Sequence, residues 1–234
     1  MIAIYKRDLR AYFTSPLGYV FIAAFLILIN GAFYITCVIA GTNQLSAVYR
    51  VMLYALIVVV PLLTMRTFSE DYKQRTDQLL LTSPVKPSGI VIGKFLAAYT
   101  VFVIALALTL VQLIIVASFG TPNFASAFGN YIAILAAAAV YIAIGVFISS
   151  LTENQLIAAI ASLGIFVGLL LLDFSYSLIK IESVRTLIYW VSIYRRFNTF
   201  YMGVFSVSDF VYYVSAAAVF IFLTIRALER KRWS

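Results

Sequence analysis

The residue types that usually carry enzyme chemistry are scarce in this sequence of 234 residues. It contains no histidine and a single cysteine, Cys37, which lies inside an apolar run. The lack of histidine excludes His-ligated zinc, Ser-His-Asp chemistry and histidine proton shuttles together. Cys37 alone forms no internal disulfide, so it gives no information on the redox compartment. We therefore expect no catalytic residue, no metal site and no cofactor in this chain.

Two short patterns resemble catalytic or nucleotide sites and fail on their details. Residues 89–94 have the glycines and lysine of a phosphate-binding loop, but the spacing is one residue short. Phe95 also replaces the Ser or Thr that would hold magnesium. Asp71 and Asp77 resemble a paired-carboxylate site, but in so charged a stretch a solvated helix face is the ordinary interpretation. We interpret Lys94 as an interfacial lysine whose aliphatic stem lies along the membrane edge.

The composition indicates a protein built almost entirely inside a membrane. Hydrophobic residues make up 64% of the chain and charged residues 11%, whereas soluble domains are about half apolar and a quarter charged. The net charge of +8 is explained by Lys and Arg that flank membrane spans. No basic stripe with interleaved aromatics stands on a soluble element, so we expect no nucleic-acid partner. We predict an all-α integral membrane protein with one domain over residues 1–234.

Six apolar runs are long enough to cross the roughly 30 Å hydrocarbon core. They cover residues 17–40, 48–66, 90–119, 131–151, 154–173 and 210–228. A signal peptide is the alternative for the first run, but its length and the lack of an A-x-A site argue against one. Residues 1–16 form a predicted basic amphipathic helix at the membrane surface, with apolar positions Ile2, Tyr5, Leu9, Tyr12 and Phe13. Residues 173–209, rich in aromatics, are predicted to form short external helices before the last span.

The distribution of Lys and Arg predicts the orientation of these spans. The face with both termini and residues 66–94 and 149–155 carries 12 Lys and Arg, and the other face carries 5. The positive-inside rule therefore predicts that both termini and the loop after the second span are cytoplasmic. The spans lack the buried ionisable groups of a proton- or sodium-driven transporter. A transport protein of this kind needs an energy source on another chain.

Residues 66–87 form a charged segment in an otherwise apolar chain, with seven charged residues. Thr67 and Glu70 fit a capping box, and Asp71 and Arg75 fit an i,i+4 ion pair. The segment is therefore predicted to form a surface helix of about three to four turns.

One side of this predicted helix carries its apolar residues, and prolines end it. Pro84 and Pro87 stop the element. The residues on one side are Phe68, Tyr72, Thr76, Leu79 and Leu80. We hypothesise that another protein acts on the membrane part at this helix.

The fourth and fifth predicted spans are joined by a very short turn. Thr152 and Gln155 fit a second capping box, so the fifth span is predicted to begin at once. Gly164 and Gly168 form a G-x-x-x-G motif, which permits close contact between helices. Packing inside the bundle and dimerisation are equally compatible with this motif.

Five stretches, taken in chain order, resemble one family of membrane proteins. They are FTSPLGYV at 13–20, PLLTMR at 61–66, TDQLLLTSPV at 76–85 followed by GK at 93–94, IAIGVFISSLTENQ at 142–155, and LERKRW at 228–233. On these stretches the chain resembles ABC-2 type permeases, the membrane subunits of ABC exporters. More narrowly, it resembles the permeases associated with gliding motility.

The resemblance implies an architecture and a set of partners. It implies a plasma-membrane protein with an interfacial helix, six spans, a cytoplasmic coupling helix between spans two and three, and short external helices before span six. Two such subunits, identical or different, would work with two ABC ATPase subunits, which hold the ATP and Mg²⁺. In some relatives a membrane protein with a large extracytoplasmic domain is a further partner.

The resemblance also implies the contacts with the ATPase. The coupling-helix contacts would be Glu70, Asp71, Tyr72, Lys73, Arg75, Thr76 and Asp77. A secondary cytoplasmic contact is predicted at Thr152, Glu153 and Asn154, and helix packing at Gly164 and Gly168.

We predict a permease subunit that exports an unidentified substrate with ATP hydrolysed by a separate subunit. The alternative from another class is a non-transporting scaffold that anchors an extracytoplasmic partner and transmits ATP-driven motion. A third possibility, an intramembrane enzyme, is disfavoured by the missing catalytic groups.

Overall fold

The computed structural model describes residues 1–42, 45–76, 85–120, 123–179 and 181–233. Within these ranges all regular structure is helical, which confirms the predicted all-α class. Six helical stretches are long and apolar enough to cross a membrane, which confirms the predicted number of spans. Asp77, Leu79, Leu80 and Pro84, which belong to the predicted coupling helix, lie outside the described residues.

The described helices follow one another with short connections. They are α1 (Ile2–Thr14), α2 (Pro16–Phe33) with a π-helical extension (Tyr34–Ile39), α3 (Ser46–Thr64), α4 (Ser69–Lys73), α5 (Pro87–Leu108), α6 (Leu110–Phe119), α7 (Phe124–Leu151), α8 (Gln155–Leu178), α9 (Glu182–Val191), α10 (Ile193–Tyr201) and α11 (Val207–Trp233). Helices α5 and α6 together form the third span, which is interrupted at Thr109.

Helix α7 is the centre of the bundle, and α3, α5, α8, α10 and α11 pack around it. Its most apolar 18-residue window is 78% buried, against 17–22% for the corresponding windows of α2, α8 and α11. The small residues of α7 explain this position, because they let neighbouring backbones approach closely. At Gly145 a Cβ atom would stand only 2.2 Å from Thr64 Oγ1. Helices α3 and α7 therefore cross at a point that leaves no room for a side chain.

Helix α1 folds back over the start of α5. Pro16 begins α2, and at Gly18 a Cβ atom would stand 2.5 Å from the carbonyl oxygen of Tyr12, so the corner between α1 and α2 is tight. Gly93 of α5 likewise lies under the first turn of α1. Of the predicted apolar face of α1, Tyr12 is buried and Ile2 is 67% exposed, and Ile4 is buried as well.

The bundle has two ends that differ in their contents. The end formed by residues 1–15, 66–76 and 152–154 and by the last turns of α11 is named the terminal face. Helices α9 and α10, of 10 and 9 residues, lie at the opposite end. They are too short to span a bilayer and agree with the short helices predicted before the last span.

Helix α10 is fixed to α11 by buried polar contacts. Arg196 is 4% exposed. Its guanidinium donates to Asp209 Oδ1 at 2.9 Å. The Tyr213 hydroxyl donates to the carbonyl of Ile193 at 2.7 Å. An ion pair buried in this way holds the two helices together, because loss of either partner would leave the other charge buried and uncompensated.

Polar groups inside the spans bind one another. The Gln112 side-chain amide donates to Asn30 Oδ1 at 2.8 Å, which joins α6 to α2. At the interruption of the third span, the Thr109 hydroxyl lies 3.1 Å from the Tyr131 hydroxyl. Lipid hydrocarbon offers polar side chains no hydrogen-bond partner, so these pairs satisfy one another and join the spans.

Candidate functional site

The candidate site is built around residues 66–76, named here the coupling segment. It follows α3 and contains the short helix α4. The predicted capping box is wrong, because the Thr67 hydroxyl donates backwards to the carbonyl of Thr64 at 2.8 Å. Phe68, not Thr67, directly precedes the first residue of α4, and the Phe68 side chain forms no capping hydrogen bond.

The N-terminus of α4 is capped by a residue from another helix. Ser149 Oγ, near the end of α7, accepts from the backbone N–H of Phe68 at 3.0 Å and of Ser69 at 3.2 Å. The Ser69 hydroxyl in turn donates to the carbonyl of Ser149 at 3.2 Å. Ser69 and Ser149 are both fully buried. An N-cap contributes about 1 kcal/mol, and here it also joins the coupling segment to α7.

Helix α4 ends at Lys73, so the predicted continuous helix of three to four turns is wrong. The backbone N–H of Thr76 donates to the carbonyl of Asp71 at 2.9 Å, and that of Arg75 donates to the carbonyl of Tyr72 at 3.1 Å. These bonds form a Schellman motif, in which glycine usually occupies the left-handed position. Arg75 occupies it with φ +54°, at a cost of about 1 kcal/mol.

The predicted ion pair between Asp71 and Arg75 is also wrong. The left-handed turn at Arg75 ends the helix before an i,i+4 ridge forms. Asp71 accepts instead from the Thr76 hydroxyl at 3.1 Å and faces Lys94. Arg75 is exposed and forms no salt bridge within the described residues.

Lys94 lies at the centre of a buried charge cluster, which corrects its interpretation as an interfacial lysine. It is 3% exposed, and its Nζ lies 2.6 Å from Asp71 Oδ2 and 3.2 Å from Asp8 Oδ2. It also donates to the carbonyl of Thr67. Helix α1 covers the start of α5 and excludes Lys94 from water. Two carboxylates and a carbonyl offset the desolvation of its ammonium group, which alone would cost several kcal/mol.

The remaining charges of the cluster are paired as well. Arg7 Nε lies 2.7 Å from Asp8 Oδ1, and Arg7 Nη2 lies 3.5 Å from Asp71 Oδ2. Arg66 forms two hydrogen bonds with the Glu70 carboxylate. Three carboxylates and three cations from α1, α5 and the coupling segment therefore neutralise one another.

Tyr12 adds a link between α1 and the end of α3. Its hydroxyl donates to the carbonyl of Leu63 at 2.9 Å. Burial raises the pKa of Tyr12 above its usual range, so the hydroxyl keeps the proton that this bond requires. The contact satisfies a carbonyl near the helix end that lacks the usual intrahelical partner.

A cavity of about 400 Å³ separates α1 from the coupling segment. Its lining includes the charge cluster. The lining residues are Arg7, Asp8, Ala11, Tyr12, Thr14, Ser15, Leu17, Arg66, Thr67, Glu70, Asp71, Gln74, Thr76 and Lys94. Relative movement of α1 and α4 would change this cavity and the ion pairs that cross it.

The end of α11 rests on the coupling segment. Lys231 Nζ lies 3.7 Å from the centroid of the Tyr72 ring. A cation over an aromatic face at an exposed site contributes about 0.5–1 kcal/mol. Tyr72, a predicted contact residue, is itself buried.

The second predicted contact, at residues 152–154, lies beside the coupling segment. Ser149, which caps α4, precedes this loop by three residues, and α4 packs against both α7 and α8. The predicted capping box at Thr152 is wrong: Asn154 Oδ1 caps α8 by accepting from the N–H of Leu156 at 2.9 Å. Thr152 Oγ1 accepts from the N–H of Asn154 at 3.2 Å. Glu153 and Asn154 remain exposed.

Gly164 and Gly168 do not pack against another part of the described chain. No described atom lies within 4 Å of a Cβ placed at either position, beyond the helix itself. Close packing within one bundle is therefore not seen at either glycine among the described residues. Their use in an interface between two copies stays a prediction.

Four residues of the site were not found by sequence reasoning. Asp8 was the one acid in a basic helix, which is a usable signal for a buried partner of a cation. Ser149, Lys94 and Lys231 gave no such signal, because their partners are distant in the chain. Within the described residues no cluster of three His, Cys, Asp or Glu is arranged to hold a metal ion.

The six long apolar helices fit a multi-pass membrane protein. No curated protein sequence matches this chain. The family model described as ABC-2 family transporter protein matches residues 2–233, nearly the whole chain. The chain therefore belongs to the ABC-2 family of transporter proteins and is a multi-pass, non-catalytic permease subunit of an ABC transporter.

Proposed function

We propose that this permease subunit belongs to an exporter driven by ATP that a separate ABC ATPase subunit hydrolyses. The observation that carries the proposal is the joining of the coupling segment to the rest of the bundle. Lys94 links it to α1 and α5, and Ser149 links it to α7. Lys231 brings α11 to the same segment. A force applied at residues 66–76 therefore reaches four helices directly.

ATP and Mg²⁺ belong on the partner in this proposal. The residues of this chain that resemble a phosphate-binding loop, 89–94, do not fit a nucleotide. They lie inside helix α5, where Gly93 faces Met1 and Lys94 is enclosed by carboxylates. This chain's part is mechanical: the coupling segment moves when the ATPase subunits close, and α1, α5, α7 and α11 move with it.

The terminal face is assigned to the cytoplasm and the bundle to the plasma membrane. The support is the excess of Lys and Arg at this face. Residues 66–76 and 152–154 would then face the ATPase. They contain all the predicted contacts except Asp77, which lies outside the described residues. Two copies, or this chain and a similar one, would form the substrate path. Export, like the narrower relation to gliding-motility permeases, rests on the resemblance of the sequence, and the substrate is unassigned.

Co-purification followed by an activity assay tests the proposal. The full-length chain is isolated in mild detergent, P-loop ATPases in the sample are identified by mass spectrometry, and both proteins are placed in lipid nanodiscs. We expect one ATPase to bind stoichiometrically and the permease to change its rate of ATP hydrolysis. A stable complex that contains no ATPase would overturn the proposal and favour a plain scaffold.

One observation favours a second function, in which the chain transmits motion to an extracytoplasmic partner and moves no substrate. Helix α11 is continuous from Asp209, which pairs with Arg196 of α10, to Lys231 on the coupling segment. A single helix thus joins the two ends of the bundle. A spin label on exposed Asn198 of α10 would report ATP-dependent movement at the far end. Movement with no ATP-dependent transport in sealed vesicles would favour this function.

A further inference from the structure

We infer that the surface offered by the coupling segment to the ATPase is cationic, with Lys73 and Arg75 as its contacts, and that the partner's docking face is acidic. This inference rests on the proposed function, because it presumes an ATPase partner at the coupling segment. The predicted ATPase contacts include both acids and cations, and the inference keeps the two cations, Lys73 and Arg75.

The acids of the terminal face are mostly engaged inside the chain. Asp8 and Asp71 pair with Lys94 and Arg7. Glu70 is held by Arg66 through two hydrogen bonds. Elsewhere on this face Glu229 pairs with Arg226 at 2.9 Å. Among the described acids of this face, Glu153 is the one outside any salt bridge, and it lies in the neighbouring loop.

In contrast to these paired acids, two cations of the coupling segment are exposed and available to a partner. Lys73 and Arg75 are exposed and form no salt bridge within the described residues. Gln74 between them is exposed as well, so three consecutive polar side chains face outward. The charge available to a partner on this segment is therefore positive.

The backbone at Arg75 is a second, independent observation. Its φ of +54° suits glycine, and the Schellman motif that it completes needs no side chain there. An arginine in this conformation sacrifices stability without a compensating contact among the described residues. Strained non-glycine residues of this kind occur where the side chain serves a function. A guanidinium at such a turn is suited to bidentate binding of a carboxylate.

The lack of apolar residues beside Lys73 and Arg75 favours a protein over an anionic membrane as the partner. On α1, exposed Lys6 and Arg10 accompany exposed Met1 and Ile2, the mixture that membrane-surface helices use. The outward-facing residues 73–75 include no apolar side chain that would enter a lipid surface. The cations of α1 thus suit lipid, and those of the coupling segment suit an acidic protein face.

The test measures binding of the ATPase recovered with the wild-type chain to full-length permease in nanodiscs of phosphatidylcholine alone. These discs carry no anionic lipid, so a loss of binding in them is not a loss of lipid contact. Two double variants have the same charge change: Lys73→Glu with Arg75→Glu, and Lys6→Glu with Arg10→Glu. We expect the first to weaken binding by about tenfold or more and to flatten its salt dependence. The second is expected to stay within about threefold of wild type.

Arg75→Gly separates a contact role from a structural one. Because glycine suits the turn, the variant is expected to melt at the wild-type temperature or above, yet to bind the ATPase about three- to tenfold more weakly. Wild-type affinity in both Arg75→Gly and the Lys73/Arg75 double variant would overturn the inference while the proposed function stands. Equal weakening by both double variants would overturn it as well. So would weakening that is absent in phosphatidylcholine discs and appears only in discs with added anionic lipid. A wild-type chain that binds no ATPase would refute the proposed function itself, and this inference with it.

Discussion

The hydroxyl of Ser149 accepts a hydrogen bond from the backbone N–H of Ser69 at 3.2 Å, although 80 residues separate them in the chain. This bond makes the start of α4 an extension of α7, the most buried span. The coupling segment is therefore anchored to the core of the bundle and is not a free loop at its edge. A force applied to this segment would pass to α7, a helix that contacts most of the others.

Replacement of Ser149 by alanine should loosen the coupling segment without disrupting the bundle. The loss of the cap leaves two buried N–H groups at the start of α4 without their acceptor and should cost about 1–2 kcal/mol. Hydrogen exchange at Phe68 and Ser69 should become faster, and stimulation of the ATPase should fall. Ser150→Ala is the matched control, because among the described residues the Ser150 hydroxyl donates to the carbonyl of Phe147 in its own helix. Equal exchange in both variants would argue against the cap.

The burial of Lys94 predicts a large effect for Lys94→Met. Among the described residues, the change leaves Arg7 as the one cation paired with Asp8 and Asp71. Removal of one partner from a buried pair costs about 3–5 kcal/mol. Thermal unfolding of the full chain in detergent should show a clear loss.

Two further variants test whether the loss in Lys94→Met comes from the uncompensated charge. Addition of Asp71→Asn should restore part of the stability, since it removes one of the unpaired carboxylates. Lys86→Met, at an exposed position just before α5, should change little. An equally small effect of Lys94→Met and Lys86→Met would mean that Lys94 is solvated.

The crossing of α3 and α7 predicts a sharp contrast between two glycines of the same helix. Gly145→Ala places a methyl group within 2.2 Å of Thr64 Oγ1 and should cost about 1–3 kcal/mol or more through displaced helices. Gly129→Ala meets no described atom within 4 Å and should be neutral or mildly stabilising. The yield of monodisperse protein in gel filtration measures both. Similar yields from the two variants would contradict the tight crossing.

The contact between α11 and the coupling segment predicts a modest effect on coupling. Lys231→Ala removes the cation over Tyr72, and a loss of about 0.5–1 kcal/mol corresponds to a two- to fivefold effect. The expected result is a reduced ATP-dependent movement of the label at Asn198, with normal membrane insertion. Arg230→Ala, at the adjacent exposed position, serves as control. If both variants move the label as the wild type does, α11 does not carry the motion.

The parts of the fold that could be predicted are those that depend on long-range averages along the chain. Hydrophobic runs of about 20 residues are typical of membrane-spanning helices, so the six spans followed from length and composition. Short helices before α11 followed from apolar runs too brief to cross. The start of the fourth span was less predictable: α7 begins at Phe124, where Asn123 caps it, seven residues before the predicted Tyr131.

The details of the site could not be predicted, because they depend on residues that meet only after folding. Thr67 had the right spacing for a cap, but Ser149 stands closer to the same N–H groups. Asp71 had a cation four residues ahead, but Lys94 offers it a partner shielded from water, where an ion pair is stronger. In both cases a tertiary contact replaced a local one of the same chemical kind.

The sequence by itself determined that this protein is a helical membrane protein with six spans, because the length and hydrophobicity of its apolar runs need no fold to be read. Only the tertiary structure decided which charges of the terminal face are consumed inside the chain. Helix α1 covers Lys94 and brings Asp8 to it, and this burial turns Asp71 inward. Lys73 and Arg75 stay exposed, because α4 ends at Lys73 and the chain turns at Arg75.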